Sequence, residues 1–309
     1  MERIAIIGAG LIGRAWAIVF ARAGHPVVVY DNDADALVTS LHLVDTALAD
    51  LAGFGLLDEP AAAVRARIGA AATLGDAVSG ARYVQENVRE TVEAKQAIFA
   101  ALDALATPDC ILASSTSYIP ASEFSAALPG RARCLVAHPV NPPHVVPVVE
   151  LCPAPWTAPE VLERARRLHE SVKQVPVFVR REVPGFILNR LQAALVCEAI
   201  RLYEDGYASA EDIDKTIRDG LGLRWSFMGP METIDLNAPG GVVDYARRYA
   251  ATMVEMDRAQ VPREWSATAL ARLEAERRAA IPADRLAERA AWRDRRLMAL
   301  AAHKRTVEK

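Results

Sequence analysis

Over roughly its first 180 residues the chain gathers apolar residues into short unbroken blocks. Beyond them it spaces them as stripes along helices. Ile4-Ala-Ile-Ile7, Pro26-Val-Val-Val-Tyr30, Cys110-Ile-Leu-Ala113, Cys134-Leu-Val-Ala137 and the Val-Pro-Val-Phe-Val run inside Gln174–Arg180 show no polar alternation, the pattern of strands covered on both faces. Weaker strands are expected at Ala70–Leu74, at Arg82–Val84 and around Val148-Val149. Helical stretches separate them: Arg14–Ala23, 34–59 with a break near Gly53-Phe-Gly55, 60–69, Thr91–Leu105, 120–128 and 158–172. Strands alternating with helices argue for a parallel sheet with helices on both faces.

The pattern changes at Arg180-Arg-Glu-Val-Pro184. From Gly185 on, only helices are expected: Phe186–Asp205, one capped by Ser209 that ends at Gly220-Leu-Gly222, one from Gly240-Gly241 to about Gln260, one from Ser266, and a last from Pro282 holding Trp292, Leu297, Met298 and Leu300. The division expected is therefore 1–183 and 184–309. The helical part looks too thin to fill a core alone, which points to a homodimer.

The most specific local signal follows the first strand. Gly8-Ala-Gly10-Leu11-Ile12-Gly13 opens the first helix, and the second strand ends on Asp31. In such a unit Gly8 allows the tight turn, Gly10 lets backbone approach a pyrophosphate, and Gly13 lets helix pack on strand. The helix N-terminus offers free N–H groups to phosphate. Asp31, twenty-three residues after Gly8, can accept from both ribose hydroxyls and would repel a 2′-phosphate, so NAD is expected over NADP. The reading is α/β: a Rossmann-type doubly wound parallel sheet followed by an all-helical C-terminal domain.

Chemistry is expected in His138-Pro-Val-Asn141-Pro-Pro-His-Val-Val-Pro-Val-Val-Glu150. Prolines 139, 142, 143 and 147 forbid a helix and stiffen the path between two short strands. That path can bring an imidazole and a carboxylate together. A carboxylate on one ring nitrogen fixes the tautomer and leaves the other nitrogen as acid or base. Ser114-Ser-Thr-Ser117 closes a buried strand, where a doubly wound sheet places its ligand crevice. The same serines could cap the helix that follows.

Composition adds limits. At 309 residues, 52% of them apolar, the chain is long enough for two domains and is no disordered protein. A net charge of −3 gives no electrostatic case for nucleic acid or an anionic membrane. The four cysteines show no CxxC pairing and three lie in apolar runs, so free thiols and no metal site are expected. The chain opens directly on a strand and no apolar run is read as reaching transmembrane length, so a cytoplasmic protein is expected.

Taken together, the dyad, the nucleotide unit and the helical segment resemble the 3-hydroxyacyl-CoA dehydrogenase superfamily over nearly the whole chain. The resemblance implies a His138–Glu150 catalytic dyad, Asn141 beside it, and Ser117 as the substrate-contacting serine. Gly185-Phe-Ile-Leu-Asn189-Arg190 matches the motif that opens the helical domain, and implies that Asn189 reaches the active site. Glu90 and Lys95 match the acid and lysine near the nicotinamide half of NAD. Ser-Ser-Thr-Ser, His-Pro-Val-Asn-Pro-Pro and Leu223-Arg224-Trp-Ser-Phe-Met-Gly229-Pro230 look like the lambda-crystallin branch, which includes L-gulonate 3-dehydrogenase; carnitine dehydrogenases share part of this wording.

The resemblance implies NAD-dependent oxidation of a small 3-hydroxy acid. The alternatives are a 3-hydroxyacyl-CoA or carnitine dehydrogenase with the same machinery, and a non-catalytic, crystallin-like NAD-binding protein. An intact dyad argues against the last. Arg224 is either an ion-pair partner of Glu232 or Asp235, or a fork for a free substrate carboxylate. No lysine lies between residues 33 and 94, although four arginines do, which weighs slightly against phosphates of CoA there.

Overall fold

The computed structural model describes residues 1–307. Eight strands form one sheet: β1 (Ile4–Ile7), β2 (Val27–Tyr30), β3 (Ile68–Ala70), β4 (Tyr83–Glu86), β5 (Ile111–Ser114), β6 (Cys134–Pro139), β7 (Val148–Pro153) and β8 (Val175–Phe178). Their order is β3-β2-β1-β4-β5-β6-β7-β8, and every pairing is parallel except β6 with β7. Strand residues alternate between two apolar layers. Ile4, Ile6, Val27, Val29, Leu135 and Ala137 face one, and Ala5, Ile7, Val84, Leu112 and Val136 face the other. That alternation inside unbroken apolar blocks is what a sheet covered on both faces requires.

Helices α1 (Leu11–Arg22), α2 (Ala34–Gly53) and α3 (Ala61–Arg65) follow the early strands. Next come α4 (Leu74–Val78), α5 (Val92–Leu105), α6 (Ala121–Ser125) and α7 (Pro159–Ser171). By length and hydropathy α2 could cross a membrane, contrary to the expectation that no segment would. Its Leu37, Val44, Leu48 and Leu51 are nevertheless buried in the apolar layer around α1. The third strand ends where its expected range begins: residues 71–74 lie beyond Ile68–Ala70, and Thr73 caps α4 by accepting from Asp76 N at 3.1 Å. An ST cap next to small residues outweighs the weak strand pattern there.

The chain divides into two compact units: Met1–Arg190 together with residues from Ala290 on, and Leu191–Arg289. The last helix, α14 (Leu286–Val307), thus departs from the expected 184–309 segment. Met298 is buried in the first unit's core with Ala301 and Ala302 packed against it, and Arg305 Nη1 donates to Gly55 O at 3.3 Å. The second unit takes most of α8 (Leu188–Glu204), then α9 (Ala210–Lys215), a π turn at Thr216–Leu221, α10 (Gly222–Trp225), α11 (Pro230–Leu236), α12 (Gly241–Ala259) and α13 (Ala267–Ala280). Tyr203 joins α8 to α13: its hydroxyl donates to Glu276 Oε1 at 2.7 Å, and Arg272 stacks over its ring 4.4 Å from the centroid. Only Tyr203, Thr233, Ala238 and Ala269 are buried between residues 191 and 289.

One buried polar chain crosses the first unit's core. His169 Nε2 lies 2.9 Å from Tyr83 Oη, which donates to Gln85 Oε1 at 2.8 Å. Gln85 Nε2 donates to Ser115 Oγ at 2.7 Å, and Ser115 donates to Asn87 Oδ1 at 2.7 Å. Because the tyrosine proton goes to Gln85, His169 carries its hydrogen on Nε2, and its buried Nδ1 has no partner. Burial pushes the His169 imidazole down to about 3. His144, also buried, is pushed down to about 4, by burial first and then by Arg22 and Arg14.

Both histidines are therefore neutral in the fold and charge more readily when unfolded. Between about pH 4 and 6.5 the unfolded chain binds more protons, so stability is full above the ordinary histidine value and falls as pH drops, by up to about 1.4 kcal/mol per pH unit for each group. Denaturant titrations at pH 7, 6 and 5 should show this slope, and His169→Gln should flatten it by roughly half. An unchanged slope in that variant would contradict the assignment.

Candidate active site

The first helix and its turn make a phosphate cradle. Gly8 has φ +93°, and a Cβ there would lie 2.7 Å from Asn87 O. A Cβ on Gly13 would lie 1.8 Å from Gly8 O, so helix and turn touch only because both are glycine. In front of Gly10 there is open space, with nothing within 4 Å of an added Cβ. Gly10 caps α1 without a side-chain bond, leaving the N–H groups of Leu11, Ile12 and Gly13 to be met by a ligand. Asp31 stands at the end of β2 and accepts from Ala9 N at 2.6 Å and Asp33 N at 3.0 Å. A cavity of about 720 Å³ runs past Gly8, Gly10, Asp31, Asn87 and Thr91. These residues fit a dinucleotide: open backbone donors for its phosphates and a carboxylate for a ribose.

His138 and Glu150 are directly opposed in the antiparallel β6–β7 pair, and His138 Nδ1 lies 2.8 Å from Glu150 Oε2. Both side chains are buried, and the imidazole packs on Phe186 with ring centroids 5.6 Å apart. The other carboxylate oxygen, Oε1, accepts from Ile187 N at 2.8 Å and Leu188 N at 2.9 Å. These are the first donors of α8, so Glu150 serves as its anionic cap. Gly185 and Phe186 reach this position through left-handed backbone, φ +78° and +48°. With Nδ1–H committed to Glu150, Nε2 is the nitrogen that can accept a proton. Asn141 is exposed and makes no hydrogen bond to His138, since the residues after Pro139 carry it away from the β6–β7 pair.

The serine segment is held from below. Glu90 Oε1 accepts from Thr116 Oγ1, from Ser117 N at 2.9 Å and from Tyr118 N at 3.2 Å. Asn189 Nδ2 donates to Ser117 O at 2.9 Å, so the start of α8 and the serine loop meet. Ser117 Oγ has no protein partner among the described residues. Lys95 is 1% exposed and bonds both oxygens of Glu86 at 3.2 Å, with Glu90 Oε2 at 3.5 Å. It thus holds two carboxylates in place rather than presenting its ammonium to a ligand. Sequence reading passed over Glu86. Burial pushes its carboxyl above the usual range, against the pull of Lys95 and of the Ser114 hydroxyl that donates to it at 2.5 Å. The signal available was its place at the carboxyl end of a central strand.

Arg224, in the second unit, is exposed and pairs with neither Glu232 nor Asp235; Asp235 accepts instead from Val242 N at 2.8 Å. The expected thiols are free, with Cys110, Cys134 and Cys152 buried.

Residues 3–183 match the profile of the 3-hydroxyacyl-CoA dehydrogenase NAD binding domain, and residues 185–279 that of the 3-hydroxyacyl-CoA dehydrogenase C-terminal domain. The chain belongs to the 3-hydroxyacyl-CoA dehydrogenase family, NAD-dependent oxidoreductases acting on CH–OH groups. Within it the chain stands in the lambda-crystallin branch. It is 39% identical to the lambda-crystallin homolog of Rattus norvegicus, over 99% of this chain and 97% of that one. An L-carnitine dehydrogenase of Streptomyces griseus is 37% identical over 76% of this chain and 70% of its own length. The solved structure of a 5-formyl-3-hydroxy-2-methylpyridine 4-carboxylic acid 5-dehydrogenase, an NAD+-dependent dismutase, matches with a TM-score of 0.84 at 29% identity, covering 100% of this chain and 99% of that one.

Asp31 sets the nucleotide preference on this geometry. Asp31→Ala should weaken NAD by roughly tenfold, the cost of losing one or two charge-assisted bonds, and leave NADP nearly unchanged. The check is kcat/KM for both nucleotides; an equal fall for both would contradict it.

Proposed function

We propose that the protein oxidises the 3-hydroxyl of a small free 3-hydroxy acid, with L-gulonate the foremost candidate substrate. The observation that carries this reading is the buried His138–Glu150 pair with Nε2 left open. His138 Nε2 takes the hydroxyl proton as the C3 hydrogen departs as hydride. Bound NAD supplies the hydride acceptor. Glu150 holds the ring's tautomer and stabilises the imidazolium that forms. Ser117 Oγ and the free carbonyl oxygen of Asn189 are the groups assigned to orient the substrate's oxygens.

Two observations favour a free acid over a thioester. Arg224 has no ion-pair partner among the described residues, and a guanidinium fork matches a carboxylate with two parallel bonds. The solved relative with a TM-score of 0.84 is named for a pyridine carboxylic acid. The carnitine dehydrogenases favour a second free-acid reading, with carnitine itself as substrate.

NADH formation should be compared across L-gulonate, 3-hydroxybutyrate, L-carnitine and 3-hydroxybutyryl-CoA. The expected result is the highest kcat/KM on a free acid, with Arg224→Met raising its KM roughly ten- to a hundredfold while the melting temperature stays level. Preference for the CoA ester, or an unchanged KM in the variant, would overturn the assignment.

We also infer a homodimer through the second unit. Leu191, Val243, Met253 and Met256 on α8 and α12 are exposed, and this unit buries only four residues. Apolar surface of that extent is normally covered. Light scattering at ~10 μM, a concentration at which an obligate apolar interface stays closed, should give twice the chain mass. A monodisperse monomer would end the inference.

A further inference from the structure

At the far end of α1 from the glycine turn lies a second cavity, of about 320 Å³, wholly within the first unit. Arg22, Lys173 and Arg305 line it, with Asp58 and Glu59 as the acids. Glu59 is already neutralised by both guanidinium nitrogens of Arg67. Asp58 is shared: Lys173 Nζ lies 2.5 Å and Arg305 Nη1 3.8 Å from its two oxygens. Three cations therefore face one available carboxylate. Arg22 donates through Nη1 to His144 O at 2.6 Å, and has no carboxylate of its own. Burial, then the neighbouring Arg305, pushes its guanidinium down to about 10 against the pull of Asp58.

The backbone gives an independent observation. Lys173 follows α7 in the left-handed region, φ +62°, where its N–H donates to Glu170 O at 3.0 Å. Glycine or asparagine normally fills this position after a helix, because a Cβ is strained there. A lysine held in this conformation, with its ammonium at the cavity, indicates a use for the charge beyond ending the helix.

We propose that this cavity binds a small doubly charged oxyanion of the phosphate type. Arg22 and Arg305 supply guanidinium donors, and Lys173 a point charge that turns from Asp58 to the anion. Free phosphate and the phosphate of a small ester share this chemistry.

The test is calorimetric titration with inorganic phosphate of protein saturated with NADH, which fills the cradle at Gly10, ionic strength being held constant with chloride. One saturable site per chain is expected. Lys173→Gly should weaken it about tenfold, the loss of one charge-assisted contact, while the melting temperature holds or rises because glycine relieves the backbone. Asp58→Asn should tighten it severalfold by freeing Lys173 and Arg305. Glycerol 3-phosphate titrated in parallel separates the sources: tighter binding than inorganic phosphate assigns an ester, and equal or weaker binding the free ion. Absence of a saturable site, or one affinity shared by wild type and both variants, overturns the proposal.

Discussion

The carboxylate of Glu150 is engaged on both oxygens, and much of the site depends on it. One oxygen takes the Nδ1 side of His138 and the other takes the two backbone N–H groups that open α8. A buried carboxylate is costly unless each lone pair is met by a donor. Here the donors are an imidazole and the positive end of a seventeen-residue helix. The same carboxylate that orients the His138 ring also fixes where α8 begins. Asn189, one residue into α8, is thereby brought to Ser117. Gly185 and Phe186 in left-handed backbone are the local cost of turning the chain onto that carboxylate.

A second set of buried charges performs a similar task on the neighbouring strands. Lys95 holds Glu86 under β4 and β5, and Glu90 in turn holds the loop from Thr116 to Tyr118. The polar chain from His169 through Tyr83 and Gln85 ends on Ser115 and Asn87, at the same crevice. Lys95, Glu86, His169, Tyr83 and Gln85 are buried, and they fix the more exposed Glu90, Ser115 and Asn87, so the carboxyl ends of the central strands form a fixed rim. Rigid placement of this kind is what lets a hydroxyl, a base and a hydride acceptor meet with little reorganisation.

Much of this was legible in the sequence because the physics there is local. An unbroken apolar block, a glycine turn and an acid at the next strand's end define the nucleotide unit within thirty-one residues. The dyad was legible because prolines leave few paths between His138 and Glu150, and the strand register then puts them opposite each other. What escaped is non-local or weakly encoded. Glu86 finds Lys95 across a strand-to-helix turn that spacing alone does not reveal. β3 ends at Ala70, short of its expected extent to Leu74, because the Thr73 cap that starts α4 outweighs a short apolar pattern. The last helix was assigned to the helical segment by continuity, yet Met298 finds its apolar surface on the first unit. For Arg224, the sequence offered two acids close by, and side-chain geometry uses neither.

In the proposed mechanism Glu150 is the group that makes His138 a base, and the turnover of Glu150→Gln tests this most directly. A glutamine can still accept from Ile187 and Leu188 but carries no charge to stabilise an imidazolium. The expected kcat is at least ~10²-fold below wild type, within the range of a disabled acid–base pair, with NAD still bound. Turnover within a few-fold of wild type would contradict it.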